Sequence, residues 1–594
     1  MKTKKHFLQL LLWRKRYIND RNFIILLAAI VGAVAGLAAV LLKITVHFIE
    51  GLLTSDFNIE FENYFYLAYP LIGISLSFLF AKYVLKEKLG HGITQVLYDI
   101  SKNFSRLKSS KMFSRLVTSA ITVGFGGSVG LEAPMVVTGS AIGSNFGSFT
   151  FLDYKNRTLL LSCGAAAAIS GIFNSPVAGV IFAIEVLLVD IAISSFIPLL
   201  IASVAGSLIS TMLLGKEVLF YFEIQDEVTA QDFPYFLLLG ILCGTLSVYF
   251  MRSSYKVEAL LMKIKNDYGR LLFGGISLGI IIFLFPPIYG EGYQTIKQVL
   301  AGDTLEALNN SYFYQQKDNP VFLILFFTSL LLIKPIAAAL TVGAGGSGGI
   351  FAPSLFTGGL TGLVLATVIN LVWPNTISAS NLTLVGMCGV MSGVMRTPLT
   401  AIFIIAEITS GYELFLPLML VSAISYSVSM FFEKHSFYTK TLIEEGHLSE
   451  KQKDQEVLDQ LALHKLLETD LLTVSPDSSL EDMVPVIRQS KRNIFPVVET
   501  DGSFRGIVLL DDIRDIMFDA DKRKTTTVLS VMQQAPGYVA VNDSMRKAMK
   551  VFEESGAWNL PVLDGDRYVG FLSKSTIFNS YRAFLKRQDK SLIS

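Results

Sequence analysis

Thr122–Pro134 reads TVGFGGSVGLEAP, and Thr341–Pro353, 219 positions further on, reads TVGAGGSGGIFAP with nine of thirteen residues the same. A second pair lies at an offset of 222, where SGIFNSPVAGVIFAIE (Ser170–Glu185) matches SGVMRTPLTAIFIIAE (Ser392–Glu407) at Ser, Gly, Pro and the closing Glu. Two halves with glycine-rich breaks at matching places imply a duplicated membrane fold, for which inverted topology is the expected form. Each glycine run passes through Ala-Pro into an apolar stretch, and Pro is favoured in the first turn of a helix. A helix N-terminus offers unpaired N–H groups and partial positive charge. Two of them meeting inside a membrane make an anion site without Lys or Arg. Glycines also serve plain helix packing, but two runs in register that both open into Ala-Pro favour the anion site. Glu132 stands in the first run where Phe351 stands in the second. A carboxylate there competes with a permeant anion while charged and vacates on protonation. Its plainer role is a capping carboxylate.

The composition around these loops is that of a membrane protein. Of 594 residues 52% are apolar and 17% charged, and mean hydropathy is +0.51. Soluble chains carry about 25% charged residues, which argues against a cytosolic enzyme. The 162 residues from Glu433 hold 47 charges and the first 432 hold 52, so a membrane body precedes a soluble tail. Ten apolar runs, from Phe23–Val46 to Leu414–Phe432, are candidates to span the bilayer. The longer ones, such as Leu159–Val189 and Leu382–Glu407, have room for two short helices each. Lys2, Lys4, Lys5, Arg14, Lys15 and Arg16 put the N-terminus in the cytoplasm. Phe7–Trp13 is too short to span and reads as an interfacial helix. Both termini are expected in the cytoplasm, with a plasma or bacterial inner membrane as the location. The net charge of +1 gives no sign of a nucleic-acid partner. Cys163, Cys243 and Cys388 sit apart in apolar or small-residue runs and read as core packers, not metal ligands. No two of the six histidines are four apart, which removes a His-Glu-x-x-His zinc protease.

These motifs resemble the CLC family of chloride channels and chloride/proton exchangers over nearly the whole chain. GHGIT (Gly90–Thr94) stands where the family commonly has Gly-Ser-Gly-Ile-Pro, and GLEAP (Gly130–Pro134) where Gly-Lys/Arg-Glu-Gly-Pro is usual. GGIFAP (Gly348–Pro353) matches outright, and Tyr438 in HSFYTKTL falls at the family's pore tyrosine. The resemblance implies an all-α polytopic membrane protein of about 18 helices in two inverted repeats. It also implies a homodimer in the lipid bilayer, with one chloride pathway per subunit. Glu132 becomes the gating glutamate. Anions would be held by His91, by backbone N–H groups of Leu131, Glu132, Ala133, Ile350 and Phe351, and by the Tyr438 hydroxyl.

Departures from the pattern matter equally. His91 replaces a coordinating serine, and its imidazole either donates to the anion or turns away and leaves only backbone. Val186 stands where exchangers often carry an inner proton-accepting glutamate. Glu185 is one residue off, about 100° around a helix, and its repeat partner Glu407 argues for a structural role in both. The expectation is therefore a passive chloride channel. The alternatives are a chloride/proton antiporter with a water-mediated proton path and, further off, a CBS-linked magnesium transporter.

The expected divisions are an N-terminal segment over 1–22, the pore domain over 23–432 and a linker over 433–467. Beyond them, Val474–Ile513 and Val539–Ile577 are similar to each other, each reading as strand, helix, strand, Gly turn, strand and helix. They resemble a tandem pair of α/β CBS domains, placed at 468–520 and 526–590, a unit that often binds adenine nucleotide. The family's hydroxyl-and-Asp pattern survives only as Asp512 in the first unit and Ser573 in the second. A structural tail is favoured over a nucleotide sensor, and no cofactor is required.

Overall fold

The computed structural model describes residues 17, 19–54, 63–87, 89–187, 195–215, 228–316, 319–374, 376–409, 412–447 and 463–590. The interfacial helix expected at Phe7–Trp13 and much of the 433–467 linker lie outside them. The chain forms two compact units, Met1–Leu448 and Ser449–Ser594.

Among the described residues, the regular elements of the first unit are helices. Its first half contains α1 (Asp20–Thr54), α2 (Phe65–Leu79), α3 (Gly92–Lys102), α4 (Lys111–Gly124), α5 (Glu132–Phe149), α6 (Tyr154–Phe173), α7 (Pro176–Phe182) and α8 (Phe196–Leu214). The second contains α9 (Phe233–Met262), α10 (Asp267–Leu284), α11 (Tyr293–Leu300), α12 (Pro320–Gly343), α13 (Phe351–Val372), α14 (Ala379–Met395), α15 (Pro398–Ile408) and α16 (Phe415–Phe432), and the short α17 (Lys440–Glu444) follows. Among the described residues, nine helical segments are long and apolar enough to cross a membrane. Large apolar side chains face outward, as along α1, where Leu26, Ile30, Leu37, Leu41, Ile44 and Phe48 are exposed. An apolar surface of this extent is suited to lipid or a partner subunit, not to water.

The repeat seen in sequence is a two-fold relation in space. Gly130 and Gly349 exchange both backbone hydrogen bonds, each 2.8 Å, in an antiparallel bridge. The Ser128 amide donates to the Thr341 hydroxyl (3.2 Å), and the Ser347 amide donates to the Thr122 hydroxyl (3.1 Å). Equivalent residues therefore bond reciprocally, as a two-fold axis through the bridge requires. The loops reach this geometry through Gly126 and Gly345, at φ +91° and +107°, where a side chain would be strained. Beyond the bridge the two halves pack alike. A Cβ on Gly139 in α5 would lie 2.2 Å from the Gly164 carbonyl in α6, and one on Gly358 in α13 would lie 2.2 Å from the Gly386 carbonyl in α14. Only glycine allows backbones so close.

The long apolar runs break where the repeat places them. Asn174 (φ +56°) ends α6 and Arg396 (φ +63°) ends α14, and a proline two residues later begins each next helix. Glu185, just beyond α7, accepts the Leu399 (3.0 Å) and Thr400 (2.8 Å) amides that open α15. Glu407, near the end of α15, accepts the Val177 (3.0 Å) and Ala178 (2.8 Å) amides that open α7. Each carboxylate satisfies the orphan donors of the other half's broken helix, the structural role their pairing in sequence implies.

The second unit consists of two similar halves. Hairpin β1–β2 (Ile494–Val498, Phe504–Leu509) is preceded by α18 (Leu480–Gln489) and followed by α19 (Leu510–Met517). Strands β3 (Val539–Ala540), β4 (Asn559–Asp564) and β5 (Arg567–Ser573) form a sheet in that order, with α20 (Met545–Ser555) between β3 and β4 and α21 (Lys574–Lys590) after β5. Val474 pairs in parallel with Val497 just as Val539 pairs with Val562, so the two halves share one register.

Glu407→Ala removes the acceptor of two amides, and bonds to a charged acceptor contribute about 1.5–3 kcal/mol each. The variant is expected to unfold at a lower temperature than wild type in detergent, with partial recovery in Glu407→Gln. Equal unfolding temperatures would contradict the interlocked caps.

Candidate ion-permeation site

The Gly130–Gly349 bridge brings the N-termini of α5 and α13 together. A Cβ on Gly130 would lie 3.0 Å from the Ala352 amide, and one on Gly349 would lie 3.2 Å from the Ala133 amide. Both first turns carry Pro at the third helical position, Pro134 and Pro353, and are wholly buried. Positive helix ends thus converge in an apolar interior, where N–H groups lack water and favour an anion.

Glu132 holds that position with its own carboxylate. The side chain is fully buried. Oε1 accepts the Tyr293 hydroxyl at 2.5 Å. Oε2 has no partner in hydrogen-bond geometry among the described residues. Phe351, its repeat equivalent, is buried and stacks on Phe173 at 5.1 Å. The two-fold frame is therefore symmetric in backbone and asymmetric in chemistry.

Tyr438 lines a different cavity from the one lined by Leu131 and Tyr293. It is buried, and its hydroxyl has no partner among the described residues. Its carbonyl accepts the Thr94 hydroxyl at 3.1 Å, which ties it to the GHGIT loop that opens α3. Arg115 holds the same loop through the Gly90 carbonyl (3.3 Å). Thr94, in place of the family's proline, thus positions the tyrosine.

Two cavities approach the centre. One of about 1110 Å³ is lined by Leu131, Glu291 and Tyr293 together with Lys43, His47 and Lys297. The other, about 260 Å³, is lined by Tyr438, Val186, Glu185, Arg396, Lys434 and His435. Lys43 lies far along α1 from Asp20, about 35 Å at 1.5 Å per residue. The larger cavity is therefore at the end of α1 remote from the N-terminus.

Two placements bear on the expected anion ligands. His91 turns away from the centre, its Nε2 2.9 Å from Glu258 Oε1 on α9 and its ring edge-on to Phe437 at 4.9 Å. A half-buried carboxylate within reach is the stronger partner for the imidazole, which leaves the α3 backbone as the loop's contribution. The Leu131 amide, expected to hold an anion, donates to Glu291 Oε1 at 3.1 Å. The Ala133, Ile350 and Phe351 amides lie where the bridge places them, in the buried first turns. Glu185 is committed to α15, its third bond coming from the Thr400 hydroxyl (2.6 Å), while Val186 offers only an apolar wall.

Tyr293, Glu291 and Lys334 escaped the sequence reading. Lys334 is buried and donates to the Ile288 (3.2 Å) and Gly290 (3.0 Å) carbonyls. The available signal was Gly290-Glu291-Gly292-Tyr293, a glutamate between glycines in an otherwise apolar loop.

The residues that the CBS resemblance offers to a nucleotide are engaged by protein groups. The Ser573 hydroxyl donates to Glu468 Oε1 (2.6 Å), Thr576 donates to the same oxygen, and Arg492 pairs with Oε2 at 2.8 Å. In the other half, Asp512 accepts from Gln533. Glu468 pairs with the Phe571 backbone and Gln533 with that of Ile507, so each half's position is filled by the segment leading into the other.

Comparison with known proteins identifies the family. Residues 72–430 match the family described as voltage gated chloride channel, and 464–519 and 528–583 match the CBS domain. The chain belongs to the voltage-gated chloride channel (CLC) family and carries a C-terminal CBS pair. It is 26% identical over 484 residues to the chloride channel protein CLC-f of Arabidopsis thaliana, covering 71% of this chain and 60% of that one. It is 27% identical over 437 residues to the H(+)/Cl(-) exchange transporter ClcA of Vibrio campbellii, covering 70% and 89%. Its fold is like that of a slow cyanobacterial Cl-/H+ antiporter, with TM-score 0.58 at 23% identity over 73% of this chain and 100% of that one.

Tyr438→Phe removes only the buried hydroxyl. Bonds to a charged partner contribute about 1.5–3 kcal/mol, so chloride affinity read by calorimetry is expected to fall about tenfold or more. Unchanged affinity would remove Tyr438 from the site.

Proposed function

We propose that the chain carries chloride or a similar anion across the membrane through a pathway between the two cavities, gated by Glu132. The observation that carries this reading is the Glu132 carboxylate itself, an anion seated where two helix N-termini converge. A chloride of like charge competes for the same amides, and protonation releases the side chain. With the N-terminus in the cytoplasm, as its basic residues imply, the Glu132-side cavity faces outward and the Tyr438-side cavity inward. Flux then rises as external pH falls.

Passive conduction is favoured over proton exchange. Val186 accepts no proton, and Glu185 is engaged by α15. The exchanger alternative is supported by the 260 Å³ cavity that joins Val186 to Tyr438, since a polar cavity of this size holds water. The anion chemistry of the breaks supports no cation pathway: what converges there is N–H, not oxygen ligands. We propose a homodimer whose subunits each hold one pathway, with both termini in the cytoplasm. The CBS pair, with Glu468 and Gln533 in its two nucleotide positions, acts as a structural tail that needs no ligand.

Purified protein in liposomes, with chloride efflux and proton movement recorded together under a chloride gradient, tests this reading. Chloride flux without proton movement is the expected result. Uphill proton movement would make it an exchanger, and absence of both would overturn transport. Glu132→Ala is expected to raise flux at neutral pH and to remove most of its dependence on external pH. A variant that keeps the full dependence would contradict the gate.

A further inference from the structure

The loop that supplies Tyr293 also supplies a second carboxylate. Gly290 and Gly292 flank Glu291 at φ +56° and +87°, and a Cβ on Gly292 would lie 2.6 Å from the Phe356 ring. Lys334 holds the loop from within the unit through the Ile288 and Gly290 carbonyls. The Tyr289 hydroxyl pins it to the Gly124 carbonyl at 3.0 Å. A loop fixed at these points places two acidic groups on the first turn of α5. Glu132 lies within, bonded to Tyr293. Glu291 lies against the Leu131 amide (3.1 Å) and lines the 1110 Å³ cavity, which Glu132 does not.

An anion entering from that cavity therefore meets Glu291 first. We propose that Glu291 is a second gating carboxylate in series with Glu132: charged, it occupies an anion position on the Leu131 amide, and protonated, it vacates that position. This rests on the anion-pathway reading above. The surrounding charges are mixed. Lys43, His47 and Glu50 face the cavity from α1, Lys297 and Tyr293 from α11, Tyr66 from α2, Tyr289 from the loop before α11, and Asp303 and Glu306 from the segment after it. Lys43 and Lys334 attract the Glu291 charge while Glu132 and Glu50 repel it. Lys43 and Lys297 share the cavity wall with Glu50, Asp303 and Glu306, so the wall alone does not gather anions, and Glu132 and Glu291 compete with an entering anion for the amides it needs. A purely structural cap would leave chloride affinity and the pH dependence of flux unmoved by loss of its charge, and this separates the two roles.

Glu291→Gln keeps the shape and an oxygen for the Leu131 amide but has no charge to lose. Chloride flux from liposomes over external pH is to be measured for E132Q and for E132Q/E291Q. E132Q is expected to keep a residual rise of about twofold or more between roughly pH 7.5 and 5, as one remaining carboxylate titrates. The double variant is expected to lose that rise and to run faster at neutral pH. Identical pH profiles in the two proteins would overturn the proposal. Chloride calorimetry on purified E291Q and E291A needs no transport and so separates this proposal from the pathway reading. Several-fold tighter chloride binding than wild type at neutral pH in either variant supports a competing carboxylate. Wild-type affinity in both would overturn it, whatever the liposomes show. If E132Q matches wild type in flux while E291Q does not, the Glu132 gate fails and the Glu291 gate stands.

Discussion

The structure depends on one pair of backbone hydrogen bonds, those exchanged between Gly130 and Gly349. They join the two halves at equivalent residues, so the helices that leave the bridge begin at a common point with their N–H groups directed toward it. A membrane interior penalises unpaired donors by several kcal/mol each. On the reading proposed above, a negative group offsets that cost, so that the Glu132 carboxylate beside these helix ends and a permeant anion are competitors. Site and fold are thus one constraint: the same bond that closes the repeat creates the need for the ligand.

The halves then diverge in chemistry. Glu132 stands where its repeat equivalent is Phe351, and Tyr438 adds a buried hydroxyl without a partner among the described residues. In the proposed pathway these differences set the direction. Away from them the symmetry is retained. The exchanged caps of Glu185 and Glu407 are alike to within a few tenths of an ångström. The CBS pair shows the same logic, with Glu468 and Gln533 crossing between its halves. There the chemistry is inverted: a carboxylate meets hydroxyls at one position and an amide meets a carboxylate at the other.

Much of this was legible in the residues. The matched glycine runs located the bridge, and the breaks at Asn174 and Arg396 fall within apolar runs long enough for two helices. Helices α3 and α4 fall outside the ten apolar runs because they are short and carry polar faces. Helix α5, legible only as the stretch that Ala-Pro opens, is packed on nearly all sides by protein and needs small residues more than large hydrophobic ones, as Gly139, Ser140, Gly143 and Ser144 show. The direction of His91 was not readable either, since its partner Glu258 is 167 positions away. Glu291 was missed for a related reason: its meaning comes from the Leu131 amide, and no local spacing links the two.

The central claim is that an anion and the Glu132 carboxylate compete for one set of amides. A structure of Glu132→Gln in bromide, with anomalous scattering used to locate the ion, tests it most directly. The account expects bromide within hydrogen-bond distance of the first-turn amides of α5 and α13, at the position the wild-type carboxylate holds. Bromide found elsewhere, with those amides still satisfied by protein groups, would contradict it.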